Sequence, residues 1–202
     1  MMLHTSQFIT IAAMIATSVS IASAQGATSL TKPISLGISA GASIPTGEFS
    51  NGGSGGFTGV NTGYNITGSL SVGLPVVPIG LRFDAAYNGF SSKNIGFPNG
   101  TGNPSYNADA RVFGLTANVV LSLPLPTPVI HPYVIGGAGM YNVRLAPATG
   151  ASSSQSNLGF NIGAGLTLPL PGFNAFVEAR YHHVNQDHGS VSFTPITVGV
   201  MF

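Results

Sequence analysis

The stretch "PISLGISAGASI", residues 33–44, changes character at every step. Ile34, Leu36, Ile38, Ala40, Ala42 and Ile44 fall on one side of an extended chain. Ser35, Gly37, Ser39, Gly41 and Ser43 fall on the other, which is the period of two that a pleated strand imposes. Working outward, the same alternation returns in residues 63–74, 79–90, 111–123, 133–145, 157–168, 173–184 and 196–202. In 63–74 the apolar side is Tyr64, Ile66, Leu70 and Val72, and in 79–90 it is Ile79, Leu81, Phe83, Ala85 and Tyr87. In 133–145 it is read as Tyr133, Ile135, Tyr141 and Val143, against Asn142 and Arg144.

The connections between these segments take turns in length. Residues 74–78, 123–132 and 168–172 each begin with Leu-Pro, where a fixed φ and a missing N–H end ladder pairing. The others, 45–59, 91–109, 146–156 and 185–195, are longer and rich in Gly, Ser and Asn, and read as solvent-facing loops. Eight strands with short turns at one end and long loops at the other predict an all-β fold, an eight-stranded antiparallel up-and-down transmembrane β-barrel.

Composition separates this from a soluble barrel. Charged residues make up 5% of the 202-residue chain, against about 25% in globular proteins. A soluble ligand-carrying barrel needs Lys and Glu outside, whereas here the second face is mostly Gly, Ser, Thr and Asn, suited to a narrow interior. The aliphatic and aromatic face suits lipid, which tolerates only a closed sheet. Tyr64, Tyr87, Tyr133, Tyr141, Tyr181, Phe173 and Phe202 lie near strand ends and are expected to form the aromatic girdles.

A formal net charge of +1 gives no electrostatic case for nucleic acid. The absence of Cys removes disulfides, thiolate nucleophiles and zinc-thiolate sites. Neither a cofactor nor a metal is expected. Residues 9–21, "ITIAAMIATSVSI", followed by "ASAQ", read as a signal peptide over 1–24, although the start carries no Lys or Arg. The expected organisation is signal peptide 1–24, a periplasmic segment 25–32 and the barrel 33–202, with both termini periplasmic.

The chain resembles the OmpA/OmpX-like eight-stranded outer-membrane barrels of Gram-negative bacteria in "GASIPTGEF", "PYVIGGAGMYNVR", "FVEARYHHV" and the final "ITVGVMF". The resemblance covers about residues 33–202 and lies in architecture more than in any one motif. It implies an outer-membrane location within the porin family in its broad sense. It also implies Phe202 as an assembly signal read by the barrel assembly machinery. The lipid bilayer and lipopolysaccharide are the implied partners, with a surface partner on the long loops left open.

Most of the charge is gathered in a few places. Along 173–184, Glu178, Arg180 and His182 point to the lumen and His183 to the outside, so the two histidines cannot share a metal. On the third strand Arg82 and Asp84 take the lumen side. Third and seventh strands stand on opposite walls, so Arg82, Asp84, Glu178 and Arg180 are expected to form a network that plugs the barrel, because charges in so narrow a space are costly unless paired. The role expected is structural or surface interaction without an open pore. Two alternatives stand beside it, an adhesin acting through the long loops and a lipid A deacylase-like hydrolase. The latter would use His183 with Asp187, His188 and Ser190. Against the hydrolase, the position two after His183 is Asn185, and the last strand has no acid.

Overall fold

Each alternating segment is a strand, and each strand pairs with the next in sequence. The computed structural model describes residues 34–51, 59–73, 78–91, 109–124, 129–146, 153–186 and 189–202. The strands are β1 (Ile34–Thr46), β2 (Gly63–Gly73), β3 (Ile79–Phe90), β4 (Asp109–Ser122), β5 (His131–Ala146), β6 (Ser153–Leu170), β7 (Phe173–Gln186) and β8 (Gly189–Met201). A short helix, α1 (Glu48–Asn51), follows β1. All neighbours are antiparallel, and β1 pairs with β8 from Gly37↔Met201 to Thr46↔Ser192, so the sheet is a closed eight-stranded barrel without an edge. Residues 1–24, 25–32, Asp187 and His188 lie outside the described residues.

The wall is apolar outside. Ile34, Leu36, Ile38, Ile66, Leu115, Met140, Leu158, Ile162 and Val198 are all exposed, a band that water would not tolerate and lipid would cover. Among the described residues no helix is long and apolar enough to cross a membrane. The turn between β6 and β7 is Pro171 and Gly172, with Gly172 at φ 91°. Pro at the second turn position and a left-handed Gly at the third is the chemistry of a type II turn.

Three expectations are corrected. The apolar side of β5 faces inward: Tyr133, Ile135, Tyr141 and Val143 are buried, while Val134, Met140 and Arg144 are exposed. Tyr133 and Tyr141 therefore do not belong to the girdles. Space explains the inversion, because Gly114 and Gly159 lie so close to the Tyr141 ring that a Cβ on either would meet it at 2.9 Å. The last long loop does not exist as such: β7 runs to Gln186 and β8 begins at Gly189, with Val191 and Phe193 alternating inward. Pro195 is tolerated inside β8 because pairing with β7 lapses there, resuming at His182↔Phe193 and Ala179↔Ile196. Finally, β6 extends through Ser153 to Ser156 and β5 starts at His131, so parts of two expected connections are strand.

Candidate functional site

The lumen is built by the polar side of the period-two pattern. Arg82 and Asp84 stand two apart on β3, Glu178 and Arg180 two apart on β7, and all four are buried. Arg82 Nη2 donates to Glu178 Oε1 at 2.8 Å and Oε2 at 2.6 Å, and Arg82 Nε lies 3.3 Å from Asp84 Oδ2. Arg180 Nη1 donates to Asp84 Oδ2 at 2.8 Å, Arg180 Nε to Glu178 Oε1 at 3.0 Å, and Arg180 Nη2 also meets Glu178 Oε1. Two cations and two anions thus form a closed square in which each charge touches two of opposite sign.

Neutral donors complete the carboxylates. Ser69 Oγ donates to Asp84 Oδ1 at 2.6 Å, Asn118 Nδ2 to Asp84 Oδ2 at 2.8 Å, and the Tyr133 hydroxyl to Glu178 Oε2 at 2.7 Å. Asn161 supports Asn118 from β6 with a 2.8 Å bond. Such satisfaction is what allows charges to persist in a confined interior. The sequence pattern alone missed Tyr133, since its strand was read the other way round.

Towards the end that carries the long connections, the lumen turns apolar. Tyr141 hydroxyl and His182 Nδ1 are 2.9 Å apart, and the His182 ring stacks on Phe193 with centroids 5.0 Å apart. Phe193 meets Phe90 at 5.7 Å, and Phe90 meets Phe49 of α1 at 5.0 Å, both edge to face. Val60, Val112, Val143, Val184 and Val191 fill the remaining space. α1 sits in a connection read as loop, and Phe49, a bulky residue in "PTGEFSNGG", is the signal that marks it. A cavity of about 20 Å³, room for one water, lies among the lumen side chains around Arg82, Asp84, Glu178 and Arg180.

On the outer wall β7 and β8 set His183 opposite Ser192, with Nδ1 2.9 Å from Oγ. The Tyr181 hydroxyl donates to Ser192 Oγ at 3.1 Å, and Phe160 flanks His183 at 5.1 Å. Ser190, the serine of the hydrolase alternative, lies opposite Asn185 instead. Among the described residues His183 meets two hydroxyls, those of Tyr181 and Ser192, and no carboxylate; Asp187, the acid of the hydrolase alternative, lies outside them. Among the described residues no three His, Asp or Glu side chains cluster as a metal site. Phe202 closes the other rim: its N–H donates to Leu36 O at 2.8 Å, it accepts from Leu36 N at 3.1 Å, and its ring faces Phe173 at 6.0 Å.

A family model described as "Outer membrane protein beta-barrel domain" matches residues 9–202. No curated protein matches the sequence. Among solved structures, Neisserial surface protein A is similar at a TM-score of 0.58 and 15% identity, over 84% of this chain and 96% of that one. The N-terminal barrel domain of Pseudomonas aeruginosa OprF gives 0.47 at 16% identity, over 83% and 97%. The attachment invasion locus protein Ail of Yersinia pestis gives 0.46 at 20% identity, over 84% and 97%. At 15% identity the likeness to Neisserial surface protein A is one of fold. A closed eight-stranded barrel with an apolar outer wall, matched by the family model over nearly its whole length, makes the chain a member of the outer membrane protein β-barrel domain family of the bacterial outer membrane.

Proposed function

We propose that this protein is a plugged outer-membrane barrel, a non-enzymatic wall element that presents its long connections to the outside and conducts no solute. Both chain ends then face the periplasm, a signal peptide over 1–24 directs export, and the barrel assembly machinery reads the strand ending at Phe202. The observation that carries the reading is the filled lumen, occupied by the charge square at mid-height and by the Phe49, Phe90 and Phe193 stack above it. Surface partners on the long connections fit this reading. Reconstituted in planar bilayers, the barrel gives no steady conductance; a stable open channel overturns it.

A second reading, acyl hydrolysis at the outer leaflet, has one observation in its favour, the His183–Ser192 contact. It uses Ser192 where the sequence pointed to Ser190. A serine–histidine pair needs a third group to orient the imidazole, and among the described residues the partners of His183 are hydroxyls. The wall-element reading is therefore preferred.

A further inference from the structure

The outer wall changes from apolar to polar along the β7–β8 pair. Towards the long connections the outward positions of β7 are Val177, Ala179, Tyr181, His183 and Asn185, and beside them β8 sets Val198, Ile196, Thr194, Ser192 and Ser190. The first positions are aliphatic, with Val177, Ile196 and Val198 exposed, and the last carry imidazole, hydroxyl and amide groups. The crossover at Tyr181 and His183 is therefore the depth at which hydrocarbon gives way to head groups.

At that depth three side chains are wired in series. The Tyr181 hydroxyl donates its one hydrogen to Ser192 Oγ at 3.1 Å, and Ser192 Oγ in turn lies 2.9 Å from His183 Nδ1. With Tyr181 as donor, the single hydrogen of Ser192 points at Nδ1, so Nδ1 accepts and the neutral imidazole carries its proton on Nε2. The contacts of His183 among the described residues are the two hydroxyls at Nδ1 and the rings of Phe160 and Tyr181, and none of them receives the Nε2 proton. His183 is half-buried on the lipid side of the wall. An N–H that meets only hydrocarbon is costly, and a chain of hydrogen bonds behind it polarises it further.

We infer that His183 Nε2 is the recognition point for an acyl carbonyl oxygen of a membrane lipid, with Tyr181 and Ser192 holding the ring in the donating tautomer. Ester and amide carbonyls are the acceptors a lipid offers just inside its head group, whereas its phosphate lies further out. The acyl chain of the same lipid then runs towards the middle of the barrel along Ile162 and Ile196, which are exposed next to Tyr181 and Ala179. Both leaflets carry such carbonyls, so the site holds whichever way round the barrel stands; the orientation under the proposed function makes the lipid one of the outer leaflet.

The test uses the full barrel and two phosphatidylcholines with the same head group and chain length, one ester-linked and isotope-labelled at its carbonyls, the other ether-linked and without carbonyls. Solid-state NMR of the histidine-labelled protein in ester vesicles is expected to show magnetisation transfer between one imidazole Nε2 and the lipid carbonyl carbon. From nanodiscs of an equal mixture, native mass spectrometry is expected to find the ester lipid retained roughly fivefold over the ether lipid, the scale of one hydrogen bond. His183→Phe keeps an aromatic ring but loses both signals, and His183→Gln, which still offers an N–H, keeps part of the preference. Lipid A, whose acyl chains are joined through ester and amide carbonyls, is expected to displace the ether lipid as well as the ester phospholipid does. Equal retention of ester and ether lipid, the result if the head group or water satisfied the donor, overturns the site. So do a missing transfer, a preference that survives His183→Phe, and lipid A that fails to displace the ether lipid. Cleavage of the ester lipid by the wild type would return the pair to hydrolysis and overturn the inference with the wall-element reading. The wild-type comparison of ester with ether lipid can sink the site by itself, so a substitution that loses the heat-sensitive band in unheated electrophoresis does not shield it.

Discussion

Arg82 on β3 and Glu178 on β7, 96 positions apart in the chain, meet across the lumen through one guanidinium nitrogen that donates to both carboxylate oxygens. Opposite walls are tied by this contact and by the Arg180–Asp84 pair, so the square acts as an internal brace as well as a stopper.

Cutting one corner should cost far more than removing the whole square. Glu178→Ala leaves two buried guanidiniums sharing the single carboxylate of Asp84 and is expected to cost about 3–5 kcal/mol. Replacing Arg82, Asp84, Glu178 and Arg180 together by apolar residues of similar volume should cost less than that single change, because no charge is left unpaired. Both are read from the fraction of fast-migrating unheated protein along a urea series. A Glu178→Ala barrel as stable as its parent would refute the brace.

Packing around Tyr141 gives a second expectation. A side chain at Gly114 would meet the Tyr141 ring at 2.9 Å, and the ring's other edge is held by Gly159 at a similar distance. Gly114→Val should therefore cost roughly 1–3 kcal/mol, with most of the loss absent in a Tyr141→Ala background. Additive losses in the urea series would mean that the ring is not what the glycine accommodates.

Expression of the wild-type chain should leave the mass of host lipid A unchanged, and so should His183→Ala and Ser192→Ala. The motive is that, among the described residues, His183 is oriented only by hydroxyls. Mass spectrometry of extracted lipid A decides the matter. Loss of an acyl chain in the wild type that either substitution abolishes would restore the hydrolase.

The mature N-terminus is expected at Gln25, since Ala22 and Ala24 stand in the small-residue cleavage pattern. Edman degradation of outer-membrane protein reads it directly, and a chain retaining residues 1–24 would contradict the export route.

Much of this architecture was legible because lipid outside and a narrow lumen inside leave the period-two pattern little freedom. Which way a strand faces follows when one side is small and polar, as in Ser39, Asn65, Thr67 and Asn161. In β5 hydrophobicity alone points the large side chains to lipid, whereas Tyr133 and Tyr141 need both a hydroxyl partner and the room that glycines on neighbouring strands create. That information lies in other strands. The β7–β8 connection departs from expectation for a local reason: Pro195 looks like a terminator, but a strand can lose one donor where the facing ladder lapses. The positions of Arg82, Asp84, Glu178 and Arg180 follow from alternation and strand count, while the neutral donors from Ser69, Asn118 and Tyr133 depend on register, which no single segment encodes.

Closure of the sheet also orders events in time. Every other pairing joins neighbours in sequence, but β1 and β8 bring together Ile38 and Val200, the two ends of the barrel-forming chain. Loop entropy makes this seam the most expensive contact to nucleate and hence the last to form. Until it forms, the inner face is open and both arginines keep their hydration. Dehydration of the charges and zipping of the seam therefore belong to one cooperative event. An open sheet holds at most the in-strand Arg82–Asp84 and Arg180–Glu178 contacts, so the cross-lumen pairs Arg82–Glu178 and Arg180–Asp84 are gained only as the barrel closes.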